Sequence, residues 1–212
     1  MRTRKTSIIL IQTFIVLTVM GTISLIEKPK KVFAYPPAVG IVGEAKTCLD
    51  CHVNNGPWKD ERYNIVDVFD KDTKKSVRQS DGTLVITAKR GKKKTVLTVL
   101  GRSKGDKEAP PYRTAWLYID PKTIGGDSLS KFAPGWEVNL PMGCRIVGDT
   151  LEGLEDDNIT VLPMTIRPTA SAKDTEITLQ VMLTKGESVK GKPKEGMIGN
   201  YFERTIKLKV VN

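Results

Sequence analysis

The sequence predicts an all-β chain built as an antiparallel sandwich, and three observations carry that expectation. From position 63 onward the chain breaks into short runs rich in Val, Ile, Thr and Leu. Turn formers separate the runs, with Asp81-Gly82, Arg90-Gly91, Pro110-Pro111 and Gly125-Gly126 as the clearest breakers. No stretch after the leader shows a long helical period, and regularly spaced strands in this number favour two packed sheets.

Taken in order, the expected strands cover 63–69, 83–89, 94–101, 112–119, 135–140, 144–148, 159–167, 175–184 and 201–211. The eighth alternates cleanly. Ile177, Leu179, Val181 and Leu183 should face the core, and Thr178, Gln180 and Met182 the other way. In the last strand Ile206, Leu208 and Val210 alternate with Thr205, Lys207 and Lys209. Met164 shares a face with Leu162 and Ile166 and reads as core filler, as does Trp136.

Ahead of the first strand lie two other kinds of sequence. Residues 1–34 have the layout of a signal peptide: Arg2, Arg4 and Lys5, an apolar run over 8–26, then Val32-Phe33-Ala34 before Tyr35. Cleavage would fall near Tyr35, and an uncleaved membrane anchor is the rival, because the run approaches the length that spans a bilayer. The folded part is thus expected to be exported, to the periplasm or another extracytoplasmic compartment.

The leader's six basic residues less Glu27 account for half of the formal +10, leaving 28 basic against 23 acidic residues from Tyr35 on. That excess is too small to argue for nucleic acid, which calls for a basic stripe with interleaved aromatics. It suits an acidic redox partner.

The residues that carry chemistry are Cys48-Leu49-Asp50-Cys51-His52. Two thiols three residues apart can each add to a haem vinyl group, and the following histidine can ligate the iron. A zinc site normally needs four ligands, and the chain adds only His52 and Cys144 to the pair. A thioredoxin-like dithiol normally sits in alternating strands and helices, which are missing nearby.

With Gly43 to Thr47 leading in and Val53-Asn54-Asn55-Gly56-Pro57-Trp58 leading out, the region resembles the haem segment of monohaem c-type cytochromes. The resemblance implies one covalent haem c with thioethers at Cys48 and Cys51, proximal ligation by His52, and single-electron transfer without enzyme activity. A redox protein or an oxidoreductase complex would be the partner, with a membrane only if the leader is retained. A haem-bearing accessory subunit and a small-ligand-binding haem protein are the alternatives.

A second resemblance rests on Ala133-Pro134-Gly135-Trp136-Glu137-Val138-Asn139-Leu140, on 158–166, and on Pro168-Thr169-Ala170-Ser171-Ala172 ahead of a long strand. It is similar to the Ig-like sandwich modules appended to many secreted bacterial proteins, although Lys173-Asp174-Thr175-Glu176 replaces their usual Gly-Thr-Tyr. The domain plan is then a leader (1–34), a short N-terminal haem-binding arm (35–62) and an Ig-like antiparallel β-sandwich (63–212).

An arm of 28 residues is too short to enclose a haem by itself, so the sandwich should supply much of the pocket. Trp58, Tyr63 and Phe69 are the apolar candidates for covering the porphyrin. The chain has one histidine, which the motif uses, so the distal iron ligand must come from elsewhere. Met142 is the first candidate, expected on a turn at Leu140-Pro141-Met142-Gly143-Cys144 that would present its sulfur outward. Met182, Met197, the Cys144 thiolate and an open position remain, although Cys144 is expected to be buried and inert. The basic run 89–94 reads as a solvated hairpin tip, and Glu152, Glu155, Asp156 and Asp157 match no calcium loop. The charged loops 101–111 and 185–199 are the expected places for partner contacts.

Overall fold

The computed structural model describes residues 47–50, 52–123, 132–185 and 197–212. The leader, Cys51 and most of the 185–199 loop lie outside the described residues. The described part of the arm and the sandwich belong to one compact unit.

The fold is an all-β sandwich. In chain order its strands are β1 (Asn64–Asp70), β2 (Leu84–Lys89), β3 (Lys94–Arg102), β4 (Arg113–Ile119), β5 (Trp136–Val138), β6 (Met142–Ile146), β7 (Asn158–Pro168), β8 (Thr175–Lys185) and β9 (Ile198–Val211). One sheet runs β1-β3-β7-β5 and the other β2-β9-β8-β4-β6. Every expected strand has its counterpart, with ends displaced by three residues at most.

Two details differ from the expectation. The pairing of β2 with β9 is parallel, from Leu84 opposite Ile206 to Lys89 opposite Val211, so the sandwich is not wholly antiparallel. The basic run after β2 is not a hairpin tip, because β2 and β3 lie in different sheets and the chain crosses between them there. Arg90 fixes that crossing by donating to the carbonyls of Thr169, Ala170 and Ala172 at 3.1, 2.9 and 3.1 Å. Lys92 and Lys93 remain exposed.

Between the sheets lies one main core, which takes Ile177, Leu179, Val181 and Leu183 from β8 and Ile206 and Leu208 from β9, as the alternation requires. Met164 and Trp136 are in it as well. A hydrogen bond of 2.9 Å between Thr98 of β3 and the Tyr118 hydroxyl of β4 links the sheets inside this core. Burial keeps that phenol far above its ordinary pKa and therefore neutral.

The outer face of the four-stranded sheet is covered by its own loop. Leu151 and Leu154 pack there on Leu97, Val99 and Ile159, with Phe69 at the margin. The acidic residues of that loop make ordinary surface contacts, since Lys104 pairs with Asp156 and its backbone N–H donates to Asp157 at 2.9 Å. The outer face of the five-stranded sheet is covered differently. Leu179 to Leu183 are buried without a break, so both faces of β8 are shielded, and the cover on the outer side is the arm.

Candidate functional site

The Cys48–Asp50 segment is one short helical turn. It is opened by the Thr47 hydroxyl, which accepts from the Leu49 N–H at 3.1 Å, and closed by the His52 N–H donating to the Cys48 carbonyl at 2.9 Å. Such a turn gathers the ends of the motif, which is what a Cys-x-x-Cys-His segment needs if its side chains are to meet one planar group. Cys48 and His52 are therefore brought together.

The turn rests on the outer face of the five-stranded sheet. Cys48 is half-buried and packs, with Met142, against Leu117 and Ile119, which are 3% and 1% exposed. Its N–H donates to the Gln180 side-chain oxygen at 3.1 Å. Strand register explains the grouping. Met142, Leu117 and Gln180 are cross-strand neighbours on β6, β4 and β8, and Cys144, Ala115 and Met182 form the next row.

Beyond the motif the arm is strapped to the first residues of β9. The Gly56 N–H donates to the Gly199 carbonyl at 2.6 Å, and the Trp58 N–H donates to the Asn200 side-chain oxygen at 2.8 Å. In return the N–H groups of Gly199 and Tyr201 donate to the side chains of Asn55 and Asn54 at 3.2 and 3.1 Å. Glycine is required at 199. A Cβ there would lie 2.8 Å from the Val53 carbonyl oxygen and 2.5 Å from the Met182 methyl.

Three porphyrin-cover candidates are corrected. Trp58 is 1% exposed, belongs to the main core, and donates its indole N–H to the Ala109 carbonyl at 2.8 Å. Phe69 lies with the cluster on the other sheet's outer face. Tyr63 faces the Arg102 guanidinium, 5.7 Å from its ring centre. Trp58, Tyr63 and Phe69 lie six, eleven and seventeen positions past His52, and the chain carries them to different surfaces. The apolar surface under Cys48 is formed instead by Leu117 and Ile119.

The distal-ligand candidates sort clearly. Met142 begins strand β6 instead of occupying a turn, because the preceding Pro141 carbonyl already accepts the Tyr118 N–H at 2.7 Å. It remains half-buried and packs, as Cys48 does, against Leu117 and Ile119. Met182 lies on the same outer face, fully buried beneath Gly199. Met197 directly precedes β9 and is half-buried. Cys144 is exposed, correcting the expected burial, because β6 is an edge strand. Partial desolvation holds its thiol above the ordinary pKa against the pull of Arg113, so it is not an activated thiolate.

His52 is the ionisable group whose surroundings matter most. Burial lowers its pKa and favours the neutral imidazole, the form that ligates metals. Among the described residues its Nδ1 is buried with no hydrogen-bond partner. A buried nitrogen left unsatisfied costs about 1–3 kcal/mol, so this one is open to a further partner. The half-buried Cys48 on its apolar floor and the His52 imidazole, two of the three residues that would hold a covalently attached haem, are compatible with that group. Among the described residues no group of three or more His, Cys, Asp or Glu side chains is placed to hold a metal ion.

Sequence reasoning missed Gln180, Leu117, Ile119, Asn54, Asn55 and Asn200. A methionine on the supposedly polar side of β8 was the available signal that this face is covered.

No family model matches the chain, and no curated protein matches it. Among solved structures it is similar to the ASH / PapD-like domain of human CEP192 (PapD-like domain 7), at 11% identity and a TM-score of 0.31, over 74% of this chain and 92% of that one. A likeness of that size carries no argument about function.

Proposed function

We propose that the protein is an exported monohaem c-type cytochrome that carries single electrons to or from a respiratory partner. The observation carrying this reading is the seating of the Cys-x-x-Cys-His turn on an apolar sheet face that also presents a methionine. Cys48 and Cys51 would hold the group by thioethers, and His52 would supply the proximal nitrogen. Bound there, a haem supplies a one-electron iron couple.

The chain's own residues have separate tasks in this reading. Leu117 and Ile119 exclude water from one side of the site, which limits reorganisation around a change of charge. Met142 offers a thioether, a ligand that raises a haem potential. The straps from Asn54, Asn55, Gly56 and Trp58 fix the chain that follows His52 on β9, which would favour unchanged geometry in both redox states.

Expression of the full chain with a c-type maturation system tests this. The exported product should carry one haem that survives acid-acetone extraction, seen as absorbance and as added intact mass. Cys48→Ala should weaken covalent retention. Bare sulfhydryls at both cysteines in the native protein would overturn the reading. The same preparation separates the alternatives: copurification with a larger enzyme favours an accessory subunit, and a spectral change with carbon monoxide favours a ligand-binding haem protein.

A further inference from the structure

Gln180 is a polar side chain on the face of β8 that the alternation turns away from the core, and the structure nevertheless buries it. It is 4% exposed on the outer face of β8, with Leu117 and Met182 as neighbours at 3% and 0%. An amide buried in such surroundings is tolerated only if it is hydrogen-bonded. Its side-chain oxygen accepts the Cys48 N–H, 132 positions earlier in the chain. That N–H opens the motif turn and, like other first-turn donors, finds no acceptor within it.

On the other side of the same residue, the Cys48 carbonyl accepts the His52 N–H at 2.9 Å. The two bonds act in series, from sheet to Cys48 and from Cys48 to His52. We propose that Gln180 is the positioning residue of the site, fixing the height and rotation of the Cys48–His52 turn on the sheet and, through it, the imidazole. Gln180 acts through Cys48. The inference deepens the haem reading, yet its first test does not depend on haem.

That test is amide hydrogen exchange, resolved by NMR on the haem-free full chain. Gln180→Leu keeps volume and removes the acceptor. Gln180→Asn keeps an amide but withdraws it by one methylene, and Gln180→Glu restores an acceptor at the original reach. Leu and Asn variants should lose protection at Cys48 and His52 together by about fivefold, as loss of one ordinary net hydrogen bond allows, while β8 and β9 amides stay protected. Glu should restore both. Unchanged Cys48 exchange in the Leu and Asn variants would overturn the proposal, as would loss at Cys48 alone with His52 unmoved. General loss across β8 in the Leu variant, with the Asn variant native-like at both positions, would also overturn it.

In haem-loaded protein, the Leu variant should add a second ferric magnetic-resonance signal that the Glu variant lacks. A wild-type chain that takes no haem would defeat the functional reading while leaving the exchange test decisive for Gln180.

Discussion

Arg102 shows how a single residue sets where the arm is rooted. Its side chain is 1% exposed, ion-paired to Asp106 at 2.6 Å, and donates to the Asp60 carbonyl at 2.8 Å and to the Asn64 side chain. The end of the arm, the start of β1, the end of β3 and the following loop therefore meet at one guanidinium. Paired burial of this kind adds little net stability, but removing one partner leaves an uncompensated charge. Asp106→Ala should lower the unfolding free energy by about 3–5 kcal/mol, read from a urea transition with unchanged slope. A shift under about 1 kcal/mol would mean that water reaches Arg102 and that the knot is not closed.

At the scale of elements, the arm is an irregular layer held by side-chain amides, by the close approach of Gly56 to Gly199 and by the Trp58 indole, which enters the main core. Gly199→Val tests that attachment. The added branch would press on the Val53 and Leu183 carbonyl oxygens, 2.8 and 3.1 Å from the first new carbon, and backbone cannot yield as a side-chain tip can. Proteolysis after Lys59, which is exposed, should accelerate several-fold in this variant while cleavage elsewhere in the sandwich stays slow. Equal acceleration at sites in both sheets would show that the arm is part of the sandwich's cooperative unit instead of a separately releasable layer.

The strands themselves were legible because alternation and turn chemistry are local, as β8 and β9 show. Their pairing was less so. Nothing near Leu84 states that its partner is Ile206 in parallel, since a pairing across more than a hundred residues is decided by the packing of both sheets. The same limit governed the site. Cys48 and His52 announced themselves by spacing, whereas Gln180 and Leu117 joined them only through sheet register. Trp58 was misread for a related reason: an exposed-looking Gly-Pro-Trp segment gives no sign that its indole will enter the core.

For the whole molecule, the sandwich is more than a carrier for the motif, because its five-stranded sheet provides one wall of the proposed haem site. Met142 tests whether that wall also ligates. It is the methionine that shares the Leu117 and Ile119 floor with Cys48, while Met182 would have to break the contact under Gly199 to become available. If Met142 supplies the distal sulfur, haem-loaded Met142→Ala should convert a low-spin ferric spectrum to high-spin and lower the reduction potential, with covalent attachment intact. Met182→Leu, which preserves volume, should change neither property. An unaltered spin state in Met142→Ala would reject the ligand assignment while leaving attachment at Cys48 and Cys51 standing. A spin change in Met182→Leu alone would instead require the arm to lift from Gly199 when haem is in place, and Gly199→Val should then favour that ligation.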